Sequence, residues 1–251
     1  MLEVIQEHDC VYLPPRTARM CYRLIQECPP ERYQNLLERG WRRFGQTFFR
    51  PECMGCAECR SLRLDVDTFR PNRSMRRTQA KNRDLRVELR GASLTTEHLD
   101  LYDRYHGDMT RRRSWEERAS SPEEYFQTFI AGQSVFGHEL LYRLDGELVA
   151  VALVDVLPSA LSAVYCFYAP EYRDRGLGVF SVLTQVELAR RRGFRHVYLG
   201  YWIEGNRSMR YKARYRPHEI LEGRPGAHVP PTWNPTAGPQ GAGAGVVGNP
   251  G

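Results

Sequence analysis

The segment from residue 160 to 202 most constrains the fold of this chain, because it alternates a strand, a glycine loop, a helix and a second strand. The run A-L-S-A-V-Y-C-F predicts a mostly buried strand, and H-V-Y-L-G-Y-W after Gly193 predicts another. Between them, apolar residues at helical spacing precede a basic end: Val179, Leu183, Val186 and Leu188. This alternation predicts a mixed α/β (α+β) fold.

The loop between this strand and this helix is a candidate binding site. Arg173, Gly176 and Gly178 satisfy R-x-x-G-x-G, which resembles the loop before a helix in the acetyltransferase-like fold called GNAT. Glycines let a ligand approach the backbone, and unpaired amides at a helix N-terminus bind anionic groups. A tight turn between a strand and a helix would need the same residues. We expect these three residues to bind substrate.

Local signals predict further elements upstream of this unit. Residues 139–143 and 148–156 are apolar runs around an Asp-Gly turn, which predicts a hairpin. Ser121, Pro122 and the two glutamates that follow are typical of a helix start, so we predict a helix over residues 122–131. The longest apolar stretches are shorter than the ~20 residues that cross a bilayer. We therefore expect no membrane segment.

Charge is concentrated in one short stretch of the N-terminal half. The chain has a net charge of +6, and residues 70–90 contain eight positive residues against two acidic ones. Because guanidinium groups suit phosphates and carboxylates, we predict that this stretch contacts a nucleic-acid backbone. A solvated helix face is the alternative. Only Lys81 and Lys212 depart from the use of arginine for positive charge, and both become candidate functional residues.

Three cysteines at a spacing of three, Cys53, Cys56 and Cys59, are typical of a metal-binding segment. No sequence typical of a signal peptide opens the chain, so we expect a cytoplasmic protein whose seven cysteines are reduced. Zinc and an iron-sulfur cluster are both compatible with thiolate ligands. Reduced thiols packed as small hydrophobic groups are the alternative.

Several ordered blocks resemble one family, the bacterial aminoacyl-tRNA-protein transferases related to eukaryotic arginyltransferases. The blocks run from about His8 to Leu221 and include H-D-C-V-Y-L-P, G-W-R-R-F-G-Q-T-F-F-R-P-E-C-M-G-C-A-E-C-R, F-R-P-N-R-S-M-R-R-T-Q-A-K-N-R-D-L and Y-L-G-Y-W-I-E-G-N-R-S-M-R-Y-K. The resemblance implies a GNAT-like lobe preceded by a cysteine-bearing N-terminal region packed against it. It also implies transfer of an amino acid, most often leucine, from aminoacyl-tRNA to proteins with N-terminal Asp or Glu, which marks them for degradation.

Such a reaction needs positioning more than strong acid or base chemistry. The aminoacyl ester is already activated, and an α-amine with a pKa of about 7.7 to 8.0 is partly neutral near neutral pH. We predict Tyr201, Tyr211 and Lys212 as catalytic residues that donate hydrogen bonds to the oxyanion or bind the tRNA terminus. Tyrosines packed in the core are the alternative for the first two. No cofactor is required for this chemistry.

The remaining sites follow from the basic stretch and from the resemblance. Arg76, Arg77 and Arg83, together with Lys81, are candidates for binding the acidic N-terminus or tRNA phosphate. The first block of the resemblance contains Cys10, which we expect to join the three clustered cysteines as a fourth metal ligand. Eukaryotic relatives are associated with iron-sulfur binding in this region, but they carry adjacent cysteines there.

The chain divides in sequence into three regions. We predict a cysteine-bearing, arginine-rich region at residues 1–90, a GNAT-like domain at 96–221 and a disordered Gly/Pro-rich tail at 222–251, in a monomer. Asn206 and Ser208 stand where bacterial relatives often have Cys and Lys, so arginine remains an alternative donor. A CoA-dependent N-acetyltransferase and a non-catalytic RNA-binding protein are alternatives of other classes.

Overall fold

The computed structural model describes residues 2–115, 121–132 and 135–236. A smaller antiparallel sheet with the strand order β1-β2-β4-β3 forms the N-terminal part. One helix lies between its second and third strands in the chain. The elements are β1 (Leu2–Asp9), β2 (Thr17–Leu24), α1 (Pro30–Glu38), β3 (Arg42–Phe44) and β4 (Thr47–Pro51).

A larger sheet of eight described strands forms the rest of the molecule, in the order β12-β11-β5-β10-β9-β8-β7-β6. Short 3₁₀ turns at Pro170–Arg175 and Arg210–Arg214 flank its central strands. The elements are β5 (Arg60–Asp65), α2 (Arg73–Lys81), β6 (Arg86–Gly91), α3 (Thr96–Arg113), α4 (Pro122–Phe129), β7 (Gly137–Leu144), β8 (Glu147–Val156), β9 (Ala160–Tyr168), α5 (Leu177–Arg191), β10 (His196–Trp202), β11 (Glu219–Leu221) and β12 (Trp233–Pro235).

The predicted mixed α/β fold and its local elements are confirmed. Asp145 and Gly146, with φ of 49° and 93°, turn the chain between β7 and β8, as the Asp-Gly pair predicts. The Ser121 side chain accepts a hydrogen bond from the Glu124 amide at 3.0 Å and caps α4. The strand, loop, helix and strand of the central unit become β9, the Pro170–Arg175 turn, α5 and β10.

The central strands separate partway along their length. β9 and β10 are parallel and pair only from Ala160 to Ser162 against His196 to Tyr198. Beyond this point residues 163–166 are partly exposed, although they belong to a central strand. A bulge leaves Val164 without a partner on β8. We call the opening between β9 and β10 beyond the paired residues the strand cleft.

Helices cover both faces of the larger sheet. On one face α5 packs with residues such as Leu161 and Val197. On the other face, α3 and α4 pack an aromatic cluster against β8 and β9. The smaller sheet and α1 join that second face, where Tyr33 and Phe48 pack with Ala160.

A buried ion pair connects the two sheets. Arg43 of β3 donates from Nε and Nη2 to the carboxylate of Asp155 on β8, and both side chains are almost completely buried. The hydroxyl of Tyr33 on α1 donates to the same carboxylate at 2.8 Å. The N-terminal region is therefore packed against the larger sheet through polar as well as apolar contacts.

The sheets divide the chain at a different place from the sequence-based boundaries. β5 lies between β11 and β10, and β6 is the edge strand beside β7. Residues 60–91 therefore belong to the larger sheet, and the predicted boundary between residues 90 and 96 does not separate two sheets. No helix within the described ranges is long and apolar enough to cross a membrane.

The predicted disordered tail is ordered as far as residue 236. β12 pairs with β11, and the indole of Trp233 donates to the carbonyl of Glu38 at 3.2 Å. The Arg63 guanidinium lies over the same indole ring, 4.2 Å from its centroid. One large aromatic side chain thus fixes a segment that composition alone marks as disordered. The rest of the predicted tail, residues 237–251, lies outside the described residues.

Candidate functional site

Arg42 lies at the base of the strand cleft. Its Nη1 donates to the Ser162 hydroxyl at 3.1 Å, and its Nη2 donates to the Ala163 carbonyl, both on β9. On β10, a Cβ added at Gly200 would lie 3.4 to 3.5 Å from the guanidinium, so glycine leaves room for it. The side chain is only 8% exposed. Sequence reasoning missed this residue, because nothing distinguishes it among 34 arginines.

Lys212 is a second buried cation at the same end of β10. Its Nζ donates to the Tyr201 carbonyl at 2.7 Å and contacts the Met209 sulfur at 3.7 Å. Burial lowers the Lys212 pKa to about 7, and the charge of Arg42 acts in the same direction. A lysine in this environment exchanges its proton near neutral pH. This property suits the predicted site residue, although the structure assigns it no catalytic step.

Tyr211 lies at the strand cleft, near Cys166 on the part of β9 that does not pair with β10. Its hydroxyl has no hydrogen-bond partner among the described residues, and the residue as a whole is 43% exposed. Burial of the hydroxyl end raises the Tyr211 pKa, and nearby Tyr215 and Cys166 raise it further. The hydroxyl therefore stays protonated and is available as a hydrogen-bond donor.

Tyr201 occupies a different environment from Tyr211. It is buried, and its hydroxyl donates to the carbonyls of Gly40 at 2.8 Å and Phe49 at 3.3 Å. These bonds join β10 to the smaller sheet. The geometry favours a structural role for this hydroxyl, so its predicted catalytic role stays a prediction that nothing in the site supports.

The glycine loop is held by an ion pair. Arg173 donates to Asp108 of α3 at 2.7 Å, so its charge is partly neutralised. Gly176, the residue directly before α5, has a φ of +68°, a conformation that favours glycine. A Cβ at Gly178 would meet the Tyr168 ring at 3.9 Å, an ordinary contact. Of the three predicted loop residues, Gly176 has the clearest conformational requirement.

The basic helix α2 and the segment after it are attached to this loop. The Lys81 ammonium donates to the Asp174 carbonyl at 2.7 Å, and the Asn82 amide donates to the Arg175 carbonyl at 2.8 Å. Arg175 in turn forms two 2.8 Å bonds to Asp84. The structure therefore brings together two groups of predicted residues that are about 90 positions apart in the sequence.

The arginines of this region project into solvent. Arg76 donates to the Pro71 carbonyl at 2.6 Å, and Arg83 donates to the Ala80 carbonyl at 3.2 Å. Arg77 has no ion pair or side-chain hydrogen bond within the described part of the chain. All three side chains are exposed. We call α2, Arg83 and the adjoining Pro170–Arg175 turn the basic surface.

The four predicted metal ligands lie in one region. Burial raises the Cys59 pKa to about 12, and Cys53, Cys10 and Cys56 raise it further, while Arg224 opposes them. Arg224 also donates to the carbonyls of Cys53 and Cys56. Among the described residues, no three of these sulfurs lie within 4.8 Å of one another. Cys10 is thus near the other thiols, but the thiols are not at metal-ligand spacing.

Another cluster of possible ligands was not predicted. Asp65, His196 and Glu219 have one side-chain ligand atom each within 4.8 Å of the others. Glu219 already accepts the Arg63 guanidinium at 2.6 Å. Burial lowers the His196 pKa to about 4, with further lowering by Arg63. Because neighbouring arginines neutralise the carboxylates, this cluster is better explained as an ion-pair network.

Comparisons with known proteins identify the family. The family model described as "Arginine-tRNA-protein transferase, N terminus" matches residues 8–77, and its C-terminal counterpart matches residues 97–222. An aspartate/glutamate leucyltransferase of Campylobacter jejuni is 41% identical, with 86% of this chain and 91% of the relative covered. A protein of the same name from Halorhodospira halophila is 47% identical, with 86% and 92% covered.

Among solved structures, the crystal structure of FemX aligns with a TM-score of 0.45 and 11% identity over 79% of each chain. The family matches together span most of the described residues, including the strand cleft, the clustered cysteines and Arg76 and Arg77 of the basic surface. They confirm the resemblance found in the sequence. The chain belongs to the arginine-tRNA-protein transferase family and is an aminoacyltransferase.

Proposed function

We propose that this protein transfers leucine from leucyl-tRNA to the α-amino group of proteins with an N-terminal Asp or Glu. The observation that carries this proposal is 41% to 47% identity, over 86% of the chain, to curated proteins named aspartate/glutamate leucyltransferases. The strand cleft supports it, because the cleft offers hydrogen-bond donors and positive charge beside a basic surface.

The reaction is aminolysis of an ester. The neutral α-amine of the acceptor attacks the aminoacyl carbonyl, and the carbonyl oxygen becomes an oxyanion. Collapse of this intermediate breaks the bond to the tRNA 3′-terminal ribose, whose oxygen takes a proton as the amine loses one. The product is a new peptide bond and uncharged tRNA. No ATP or metal is needed, because the energy resides in the ester.

Within this reaction, Tyr211 is our candidate donor to the oxyanion. Its hydroxyl is at the cleft, remains protonated and has no described partner to give up. The bulge leaves Val164 without a partner on β8. The peptide group of Val164 is therefore a further candidate for contacts with the substrate near the same opening. The enzyme then works mainly by holding the two substrates together and excluding other acceptors.

The basic surface supports tRNA binding. The exposed Arg76, Arg77 and Arg83 provide charge without a described carboxylate partner, and α2 is fixed beside the N-terminus of α5. Phosphate contacts of this kind give affinity with little sequence preference. Recognition of leucyl-tRNA would then depend on the amino acid and on the 3′ end in the cleft.

The alternative donor is arginine, because Asn206 and Ser208 depart from the residues that bacterial relatives often carry. The Asn206 amide donates to the Tyr12 carbonyl at 2.9 Å, and its Oδ1 accepts from the Ser208 amide at 2.9 Å. Asn206 therefore has a local structural role that does not depend on which aminoacyl-tRNA supplies the amino acid. The names of the relatives favour leucine.

A transfer assay tests the proposal. The purified protein is incubated with a peptide that begins with Asp and with tRNA charged in parallel with radiolabelled leucine or arginine. We expect label in the peptide from leucyl-tRNA. Label from arginyl-tRNA alone would retain the reaction and overturn the donor. If neither donor labels the peptide, acetyl-CoA is the next donor to test, and no turnover with any donor would leave RNA binding as the activity.

We also propose that Cys10, Cys53, Cys56 and Cys59 hold zinc or an iron-sulfur cluster as a structural brace. Their clustering supports this, and so does the Arg19 amide, which donates to the Cys53 sulfur at 3.3 Å. The thiols would have to move closer to reach ligand spacing. The protein would act as a monomer in the cytoplasm, where its cysteines stay reduced.

Metal analysis of anaerobically purified protein tests the brace. We expect about one zinc ion or one cluster per chain, and a lower melting temperature after its removal. The Cys56→Ser variant should bind less metal, whereas Cys166→Ser, outside the cluster, should bind as much as the unaltered protein. Equal and negligible metal content in all three proteins would leave the thiols as packing groups.

A further inference from the structure

Arg42 and Lys212 lie beside adjacent residues of β10, Gly200 and Tyr201, at the base of the strand cleft, and neither has a counter-ion among the described residues. Arg42 and Lys212 are each only 8% exposed. Across the described residues, no carboxylate oxygen lies within 4.0 Å of either one, whereas the neighbouring Arg43 is paired with Asp155. The partners of Arg42 and Lys212 are neutral oxygens and one sulfur.

This arrangement is costly for the protein on its own. Buried charges in proteins are normally paired or bind an ion, because removal from water is expensive. Two like charges close enough to affect each other increase that cost, and Lys212 is sensitive to the charge of Arg42. A site with the permanent charge of Arg42 and a lysine whose pKa is about 7 therefore favours an anionic ligand, which would hold Lys212 in its charged form.

Both side chains retain donors for such a ligand. A guanidinium has five N–H groups, and the contacts described for Arg42 use two of them. An ammonium has three, and Lys212 uses one on a carbonyl and another on a weakly accepting sulfur. Charge-assisted bonds from these spare donors would be strong in a site shielded from water.

We propose that Arg42 and Lys212 form the site that binds the side-chain carboxylate of the acceptor's N-terminal Asp or Glu. This inference rests on the proposed function and assigns its acceptor specificity to two residues of the chain. A single carboxylate side chain suits a site whose two donor side chains are almost completely buried. A polymer of phosphates instead suits the exposed arginines of the basic surface.

The test compares acidic acceptor peptides with their neutral isosteres. Peptides beginning with Asp, Asn, Glu or Gln are assayed at saturating leucyl-tRNA with the unaltered protein, Lys212→Met and Arg42→Gln. We expect the preference for Asp over Asn, measured as a ratio of kcat/KM values, to fall about 10- to 100-fold in each variant. The loss should lie mainly in KM for the acidic peptides, because the bonds are made on binding.

Arg191→Gln is the control, because Arg191 is an exposed arginine on α5, with 72% of its side chain accessible. It should leave the preference unchanged. Equal losses for acidic and neutral peptides in the folded variants would overturn the inference. Weaker binding of leucyl-tRNA with an unchanged Asp preference would also overturn it and would assign the two cations to phosphate.

Direct peptide binding separates this inference from the proposed function. Fluorescence anisotropy of labelled Asp and Asn peptides is measured without tRNA. If the unaltered protein transfers nothing yet prefers the Asp peptide, and Lys212→Met loses that preference, the site stands and the reaction is wrong. If the unaltered protein transfers leucine but both variants keep their Asp preference, the reaction stands and the site is wrong. Lys212→Met removes a buried charge, so we expect it to fold even if Arg42→Gln does not.

Discussion

At the scale of single residues, Lys212 is expected to make the free energy of unfolding rise with pH. Its pKa falls from 10.5 to about 7 on folding. Between these values the unfolded chain binds more protons than the folded one, so the free energy of unfolding rises with pH. Below about pH 7 Lys212 is charged in the folded protein as well, so the full cost of burying this charge lowers the free energy of unfolding.

The Lys212→Met variant lacks this dependence. We expect the free energy of unfolding of the unaltered protein, relative to this variant, to increase by about 2 kcal/mol between about pH 7 and pH 9, since each unit contributes at most about 1.36 kcal/mol. Urea denaturation at several pH values measures the difference, in which other titrating groups cancel. A difference that stays constant with pH would show that Lys212 keeps an ordinary pKa.

The residues of the site differ in how readily they could be predicted from the sequence. Lys212 stands out because the chain has only two lysines, and its neighbour Tyr211 belongs to a distinctive block. Tyr201 belongs to the same distinctive block, yet its hydroxyl is bonded to two carbonyls. Arg42 is distinguished only by its contacts with β9 and β10, about 120 and 160 residues later in the chain. Contacts between residues so far apart leave no local pattern in the sequence.

At the scale of elements, α2 is expected to contribute tRNA affinity through charge alone. The Arg76→Glu/Arg77→Glu double variant should bind leucyl-tRNA more weakly than the unaltered protein. The plot of its log K against log salt should also be less steep, by about 1 for each phosphate that the variant no longer neutralises. Filter binding at several salt concentrations measures both quantities.

The Arg191→Glu/Arg192→Glu double variant is the matched control for this prediction, because it reverses two exposed arginines at the end of another helix. We expect its affinity to fall less and its salt slope to stay closer to that of the unaltered protein. Unchanged affinity in the folded double variant would exclude α2 as the tRNA-binding element.

Elements specified by neighbouring residues were predictable, whereas those placed by distant contacts were not. The Asp145-Gly146 turn and the Ser121 cap each act within four residues. β5, by contrast, lies between β10 and β11, which follow it by more than 130 residues. β12 depends on Trp233, one aromatic residue in a Gly/Pro-rich segment. Composition describes the segment as a whole and misses the packing of that ring.

At the scale of the whole molecule, the two sheets are expected to unfold together. β5 places N-terminal residues inside the larger sheet, and the buried Arg43–Asp155 pair joins β3 to β8. The family matches at residues 8–77 and 97–222 divide the sequence, but neither corresponds to one sheet. Cooperative unfolding would mean that the proposed substrate sites on both parts belong to one folding unit.

The Arg43–Asp155 pair offers a direct test of this coupling. Asp155→Leu leaves the Arg43 charge buried without its carboxylate, so we expect the free energy of unfolding to fall by about 3 to 5 kcal/mol. The Arg43→Met/Asp155→Leu double variant removes both charges and should be more stable than Asp155→Leu alone. Denaturant unfolding, followed by tryptophan fluorescence and by far-UV circular dichroism, should give one coincident transition for the unaltered protein. Two separate transitions would mean that the sheets are stabilised independently, and a double variant no more stable than Asp155→Leu would mean that the buried Arg43 charge costs nothing once its partner is removed.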